Sequence, residues 1–323
     1  AGFSGVPDLS SKIELGSYLD LAKKSKLYVR TFFGEFSKFD AGEDNTSDKI
    51  KIGELRKKYK FRDPDKGPMV EFGFIKYVMD GVLSTHTAAM IEPYSDRPNI
   101  IGQPFHTQDE INALVKRANG LGLPVAIHAI GDQAVKMALN AFENFGNRGY
   151  ANRIEHIEMI DPNDVPRFKE RNITASMQPN HCTGVIGKYI TQRVGIDREK
   201  NAYVWGDFLR SGTQLAFSSD FATSPFSPLV HIADAVFRES PNGLYEGTWY
   251  PDQAVTFEQA LFAYTQAGAN MSGWGDEIGS ISIGKYADFV ILDKLLGSPV
   301  GQELRNTKVD KTYFAGQLVY CEY

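Results

Sequence analysis

Residues able to bind a cation or move a proton recur where apolar runs of this chain end. Lys76 lies in Phe74-Ile75-Lys76-Tyr77-Val78-Met79-Asp80-Gly81. His128 lies in Val125-Ala126-Ile127-His128-Ala129-Ile130-Gly131-Asp132, and His156 ends Arg153-Ile154-Glu155-His156. Asp220 follows Ala216-Phe217-Ser218-Ser219, and His181 closes Ser176-Met177-Gln178-Pro179-Asn180-His181. If each run is a strand of one parallel barrel, Lys76, His128, His156 and Asp220 converge on one face, however far apart in sequence. Imidazole and carboxylate donors in that arrangement suit zinc or a similar divalent ion. A charged lysine is costly to bury in an apolar strand. Reaction with carbon dioxide would turn Lys76 into a carbamate, an anionic ligand able to bridge two metals.

Taken singly, each residue has a plainer reading. A histidine at a strand end is commonly a hydrogen-bonded structural group, a strand lysine reaches to solvent, and Asp220 fits a turn or cap. The metal reading rests on the joint pattern. His181 is placed to bind substrate or polarise a carbonyl. Arg153 is a candidate to orient substrate and Tyr94 to line the pocket, while His86, His106 and His231 lie away from strand ends. Cys182 beside His181 is a poor thiol nucleophile, since adjacent residues seldom face each other productively. No GxSxG, Walker loop, GxGxxG after a strand or HExxH is present.

The elements that must position these residues read as alternating strands and helices, hence a parallel sheet. Strands are expected at Leu27–Phe33, Phe72–Met79, Pro124–Ile130, Arg153–Ile157, Ile173–Met177 and Gln214–Ser218. Helices are expected at Gln108–Asn119, Asp132–Phe145 with Asp132 as N-cap, Leu229–Arg238 and Phe257–Ala269; Asp161-Pro162 caps another. The segment Ala41–Lys60 reads as a surface insertion carrying one helix. Beyond residue 275 the glycine-punctuated stretch Gly279–Asp293 and the pair around Ala315-Gly316 are β-rich. The expected fold is α/β: a TIM-like (β/α) barrel domain over 1–275, and part of a small β-sandwich over 276–323. Six barrel strands leave two edges, Leu27–Phe33 and Gln214–Ser218, open to further strands or to a second copy of the chain.

With 323 residues, 42% hydrophobic and 23% charged, the chain has the composition of a globular enzyme. A net charge of −5 without a basic face argues against nucleic acid. The two cysteines, Cys182 and Cys321, form neither a CxxC nor a disulfide framework. Without a long apolar run or a visible leader, a membrane partner is not expected and the expected location is the cytoplasm.

The stretches IKYVMDGVLSTHTAAMIEPYSD (75–96), IHAIGDQAV (127–135), RIEHIEMI (153–160), SMQPNH (176–181), AFSSDFATSPFSPL (216–229) and GSISIGKYADFVILD (279–293) run in the order of a known family. The chain resembles the amidohydrolase superfamily, in its amidohydrolase-3 type that includes N-substituted formamide deformylase-like enzymes. The resemblance implies a metal-dependent hydrolase acting on carbon–nitrogen bonds of a small amide-like substrate. It implies Lys76, His128, His156 and Asp220 as ligands of one or two divalent ions, with Asp220 also the proton carrier and Lys76 a candidate carbamate. One departure stands out. The family carries a His-x-His pair on its first strand, and here no two histidines are separated by a single residue. The chain therefore reads as the C-terminal part of a longer protein, lacking the first strands and half of the sandwich. Two alternatives follow: a non-catalytic or regulatory protein on the same scaffold, or hydrolysis of an ester or carbon–carbon bond.

Overall fold

The computed structural model describes residues 12–36, 45–184, 187–239, 247–296 and 301–322; for 12–15, 36, 45–50 and 188 it describes the backbone alone. Six strands form a curled parallel sheet: β1 (Thr31–Phe36), β3 (Gly67–Val78), β4 (Val125–Ala129), β5 (Arg153–His156), β6 (Thr174–Met177) and β7 (Leu215–Phe217), in the order β1-β3-β4-β5-β6-β7. A short β2 (Lys60–Asp63) lies antiparallel to β3. Every residue of β5, β6 and β7 is buried, as in a parallel sheet covered on both faces. The sheet is a half-barrel whose outer strands, among the described residues, are the two that were expected to be edges.

Crossover helices pack by periodicity. In Gln108–Gly120 the buried residues Ile111, Leu114, Val115 and Ala118 line one face. Its start is a capping box: the Thr107 hydroxyl accepts from Glu110 N, and the Glu110 carboxylate accepts from Thr107 N at 2.7 Å. The helix Asp132–Phe145 buries Val135, Ala138, Leu139 and Phe142. Its N-cap is Gly131, one residue before the expected Asp132. A Cβ at Gly131 would collide with the Ala89 carbonyl, so only glycine lets the loop after β3 pass this close. Asp132 instead accepts from Ile91 N at 2.8 Å and fastens the same loop.

Several expectations need correction. β1 begins at Thr31, where pairing with Val70 starts; Leu27 is buried ahead of it without being in the strand. The Ala41–Lys60 segment does carry a helix, Asn45–Lys58, but Ile52 and Tyr59 are buried in the main core, so it is anchored rather than superficial; 41–44 lie outside the described residues. β2 was unforeseen. Its turn is built by Asp63, whose carboxylate accepts from Asp65 N and Lys66 N at 3.0 and 3.1 Å, and by Gly67 at φ +76°. The expected helix Phe257–Ala269 is two, Phe257–Tyr264 and Gln266–Met271, broken at Thr265.

A separate antiparallel sheet of three strands, β8 (Phe289–Leu292), β9 (Val309–Phe314) and β10 (Gln317–Cys321), ends the chain. The glycine-rich run before Phe289 is loop rather than strand. Arg30, fully buried, ties this sheet to the half-barrel. Its guanidinium meets Asp288 at 2.6 and 2.9 Å, donates to the carbonyls of Lys66 and Pro68 at 2.6 Å, and lies over the rings of Tyr286 and Phe314. We keep the division at 275/276 as a proposal; Trp274 and Ile278 pack together across it. Among the described residues, no helix is long and apolar enough to cross a membrane.

Candidate metal centre

Parallel register sets which side chains share a face. Lys76, Ala126, Arg153 and Thr174 are successive partners across the sheet, and Val78, His128, Glu155 and Ser176 form the next row toward the strand C-termini. Side chains of registered partners stand on the same side of a pleated sheet. Strict alternation would send His156 to the other side from Glu155. The backbone escapes alternation at the strand end, with φ +78° at His156 and +51° at Ile157. The imidazole of His156 then lies 4.5 Å from that of His128, centroid to centroid, and stacks parallel to that of His181 at 6.0 Å.

Each imidazole is held from behind. His128 Nε2 lies 3.1 Å from the Gly81 carbonyl and 3.6 Å from Asp80 Oδ1. His156 Nδ1 lies 2.9 Å from Gln178 Oε1, and Gln178 Nε2 in turn donates to Ser218 Oγ at 2.9 Å. His181 Nδ1 lies 3.3 Å from Glu158 Oε1. Carbonyls and carboxylates accept only, so these ring nitrogens carry the proton. The opposite nitrogens, Nδ1 of His128 and Nε2 of His156 and His181, are left with lone pairs. Donation of the rear N–H to an oxygen is the usual support of a metal-binding histidine. His181 Nε2 is buried and makes no hydrogen bond among the described residues; Asp220 Oδ2 lies 3.7 Å away. Donor atoms of His156, His181 and Asp220 all fall within 4.8 Å of one another.

Burial and the neighbouring Lys76 lower the pKa of His128; burial, His128, Lys76 and His181 hold that of His156 well below the usual imidazole range. Both rings are therefore neutral at pH 7, the form that binds metal. Asp220, with φ +53° and its side chain 40% exposed, forms the open side.

Beside and below these rings the charges are paired. Burial lowers Lys76 to about 8, against the pull of Glu155. Burial alone would raise Glu155, but Lys76 and Arg153 outweigh it and bring the carboxyl to about 2. Arg153 Nε meets Glu155 Oε1 at 2.5 Å, and its guanidinium lies 4.1 Å from the Phe74 ring centroid. Arg153, expected to orient substrate, has its charge engaged inside the sheet. Tyr94, expected to line the pocket, is engaged too. It is buried and donates its hydroxyl to the Ala88 carbonyl at 2.8 Å, bracing the loop after β3. Cys182 is buried, which pushes its thiol up to about 12 and leaves no nucleophile at neutral pH. His86 and His231 stand outside the cluster, on Asp96 and on the Pro225 carbonyl.

Asp80 escaped sequence reasoning. Fully buried, it accepts from Ala89 N, Ile130 N and Gly131 N at 2.8–3.0 Å and so joins β3, the end of β4 and the loop between them. Burial raises its carboxyl to about 7 despite these donors. The signal was an aspartate directly after an apolar strand, which reads as turn closure.

An open parallel half-barrel with histidines and an aspartate gathered at its strand ends is the frame of a metal-dependent hydrolase. The chain belongs to the amidohydrolase family, whose model matches residues 2–320. It is 32% identical over 258 residues to YtcJ of Bacillus subtilis (strain 168), covering 79% of this chain and 48% of that protein. It is 29% identical over 329 residues to the N-substituted formamide deformylase of Arthrobacter pascens, covering 99% of this chain and 57% of that one. A crystal structure of an uncharacterized metal-dependent hydrolase from Pyrococcus horikoshii OT3 superposes with a TM-score of 0.72 at 30% identity, over 88% of this chain and 54% of that chain. The chain thus spans about half the length of the relatives it matches.

Proposed function

We propose that this chain carries the reacting face of a hydrolase that cleaves a carbon–nitrogen bond in a small amide-like, non-peptide substrate. One observation carries the reading: imidazoles anchored from behind turn free nitrogens toward a partly exposed carboxylate. These groups fit a divalent cation, with zinc the first choice for imidazole and carboxylate donors. Such an ion supplies Lewis acidity and makes water nucleophilic near neutral pH. Lys76, His128, His156 and Asp220 are the proposed ligands. Asp220, on the open side, takes the proton of the attacking water and delivers it to the departing nitrogen. A Lys76 pKa of about 8 leaves some neutral amine at pH 7, the form that adds carbon dioxide with release of a proton. Glu155 opposes a second anion there, so carbamylation is a separate question, answered by a mass gain of one carbon dioxide. The likeness to an N-substituted formamide deformylase supports the amide substrate class. A purely regulatory role is not favoured, because it gives no reason for open donor atoms.

The test is hydrolysis of N-substituted formamides and acetamides by the metal-loaded protein, with and without Asp220→Asn. Loss of a proton carrier is expected to lower kcat by about 10²–10⁴-fold. An unchanged kcat removes Asp220 from the chemistry.

A further inference from the structure

The chemistry above does not say what the departing nitrogen carries. We propose that Phe221 and Phe226 form an apolar subsite at the mouth of the site, which takes a neutral hydrocarbon substituent on that nitrogen. This assignment rests on the hydrolase reading above and specifies its substrate.

Three observations converge. The first is position. Asp220 forms the open side of the site with its side chain 40% exposed, and Phe221, the next residue, is 67% exposed. Phe226 is 51% exposed, and the two rings meet edge to face at 5.4 Å between centroids. Consecutive Cα atoms lie about 3.8 Å apart, so the phenyl pair starts one residue from the group that delivers the proton. His156 and His181 on the inner side are buried, which leaves the small acyl part inward and the bulk of the substrate outward.

The second is that the loop is fixed while its rings stay in water. Thr223 N donates to the Asp220 carbonyl at 2.8 Å and closes a turn between the two phenylalanines. Ser224 is buried. The fully buried His231, on the helix Pro228–Phe237, donates from Nε2 to the Pro225 carbonyl at 2.8 Å. Burying one phenylalanine side chain is worth about 1.5–3 kcal/mol, and folding realises only part of that for either ring. A braced apolar surface beside a polar site has the makeup of a ligand wall.

The third is charge. From Asp220 to Pro228 the loop reads Asp-Phe-Ala-Thr-Ser-Pro-Phe-Ser-Pro and holds no charged side chain besides Asp220. Deeper in, Lys76, Arg153 and Glu155 answer one another. A carboxylate on the substituent would meet Asp220 with like charge. An ammonium would leave water for the ring faces alone, since Asp220 is already assigned to the ion and the proton. A hydrocarbon gives up nothing on entering and removes both rings from water.

N-Alkylformamides from methyl to hexyl, given to the metal-loaded protein, test this. Water adds to the formyl carbon, the carbon–nitrogen bond breaks and the alkylamine leaves with a proton, so released amine reports turnover. n-Alkylureas of the same lengths, whose carbonyl is less electrophilic, report affinity by ligand-observed NMR. Each methylene buried is expected to raise kcat/KM and affinity about two- to fourfold. A carboxylate or ammonium at the end of the hexyl chain should lower both by about tenfold or more. Phe221→Ala with Phe226→Ala should cut the hexyl-to-methyl ratio about tenfold or more, and Phe221→Leu with Phe226→Leu should keep it within about threefold. Hydrolysis without dependence on chain length, or with the same dependence in the alanine variant, overturns the subsite and leaves the hydrolase reading standing. A better ammonium than alkyl substrate overturns it too. So does altered sedimentation of the alanine variant with selectivity intact, which makes the pair an interface between copies of the chain. Length-dependent urea binding that the alanine variant loses, without hydrolysis of any formamide, supports the subsite and removes the hydrolase reading.

Discussion

Two sets of polar side chains meet at the strand ends and are treated differently, a lower, paired set and an upper, open one, which interleave where Glu155 stands in register with His128. In the lower layer Lys76, Arg153 and Glu155 answer one another's charge, with Arg153 also stacked on Phe74. In the upper layer His128, His156 and His181 are each fixed at one nitrogen and left open at the other. Completed pairs stabilise a fold. Half-completed ones, held rigidly, pre-position atoms for something that arrives later. The lesson is that burial and charge do not separate structural from functional groups here, whereas the direction of the unsatisfied atom does.

The contrast is broken most severely by opening the lower layer. Glu155→Leu strands two buried cations and is expected to cost about 3–5 kcal/mol in urea unfolding. His181→Gln, an upper-layer change, should cost under about 1 kcal/mol without metal. Equal losses would abolish the distinction between layers.

Adding metal should sharpen it. A cation at a hundred times its Kd stabilises the folded state by about 2.7 kcal/mol. That gain, read as a rise in Tm, should vanish in Asp220→Ala and persist in variants of Arg153 that fold. A gain that survives Asp220→Ala would place the cation elsewhere.

Asp80→Asn tests the hinge between layers and loops. An amide cannot accept from all three backbone donors, so a loss of about 1–3 kcal/mol is expected. Weaker metal binding should accompany it, because His128 leans on the same turn. A loss of stability with metal affinity unchanged would confine Asp80 to the fold.

The smallest effect is in pH. Glu155 titrates at about 2 in the folded chain and near 4.5 when unfolded. A depressed folded pKa means that its stabilisation is full above about 4.5 and is lost as pH falls toward 2. Tm should therefore drop through that window more steeply than in a Glu155→Gln variant. Parallel curves would show that the pair does not carry the expected linkage.

Much of this was legible in the sequence, for identifiable reasons. Six parallel strands could be read because buried strands are continuous apolar runs, and so could the position of His128, His156 and Asp220 at or just beyond strand ends. β2 could not, since Lys60-Phe61-Arg62-Asp63 is polar and acquires strand form from its pairing with β3. The role of His181 depends on Glu158, that of His156 on Gln178, and that of His128 on Gly81; these partners meet only in space. The partners of Arg153 and Tyr94 were hidden for the same reason. Their side-chain chemistry suits a substrate, but both are engaged inside the fold.

The most direct measurement is anomalous scattering from a crystal of the zinc-loaded protein, recorded on both sides of the zinc absorption edge. A zinc peak bonded to Nδ1 of His128, Nε2 of His156 and a carboxylate oxygen of Asp220 is predicted, with the Gly81 carbonyl and Gln178 still behind the two rings. A crystal in which the Lys76–Glu155–Arg153 layer is intact but zinc is absent, or sits away from these side chains, would contradict it.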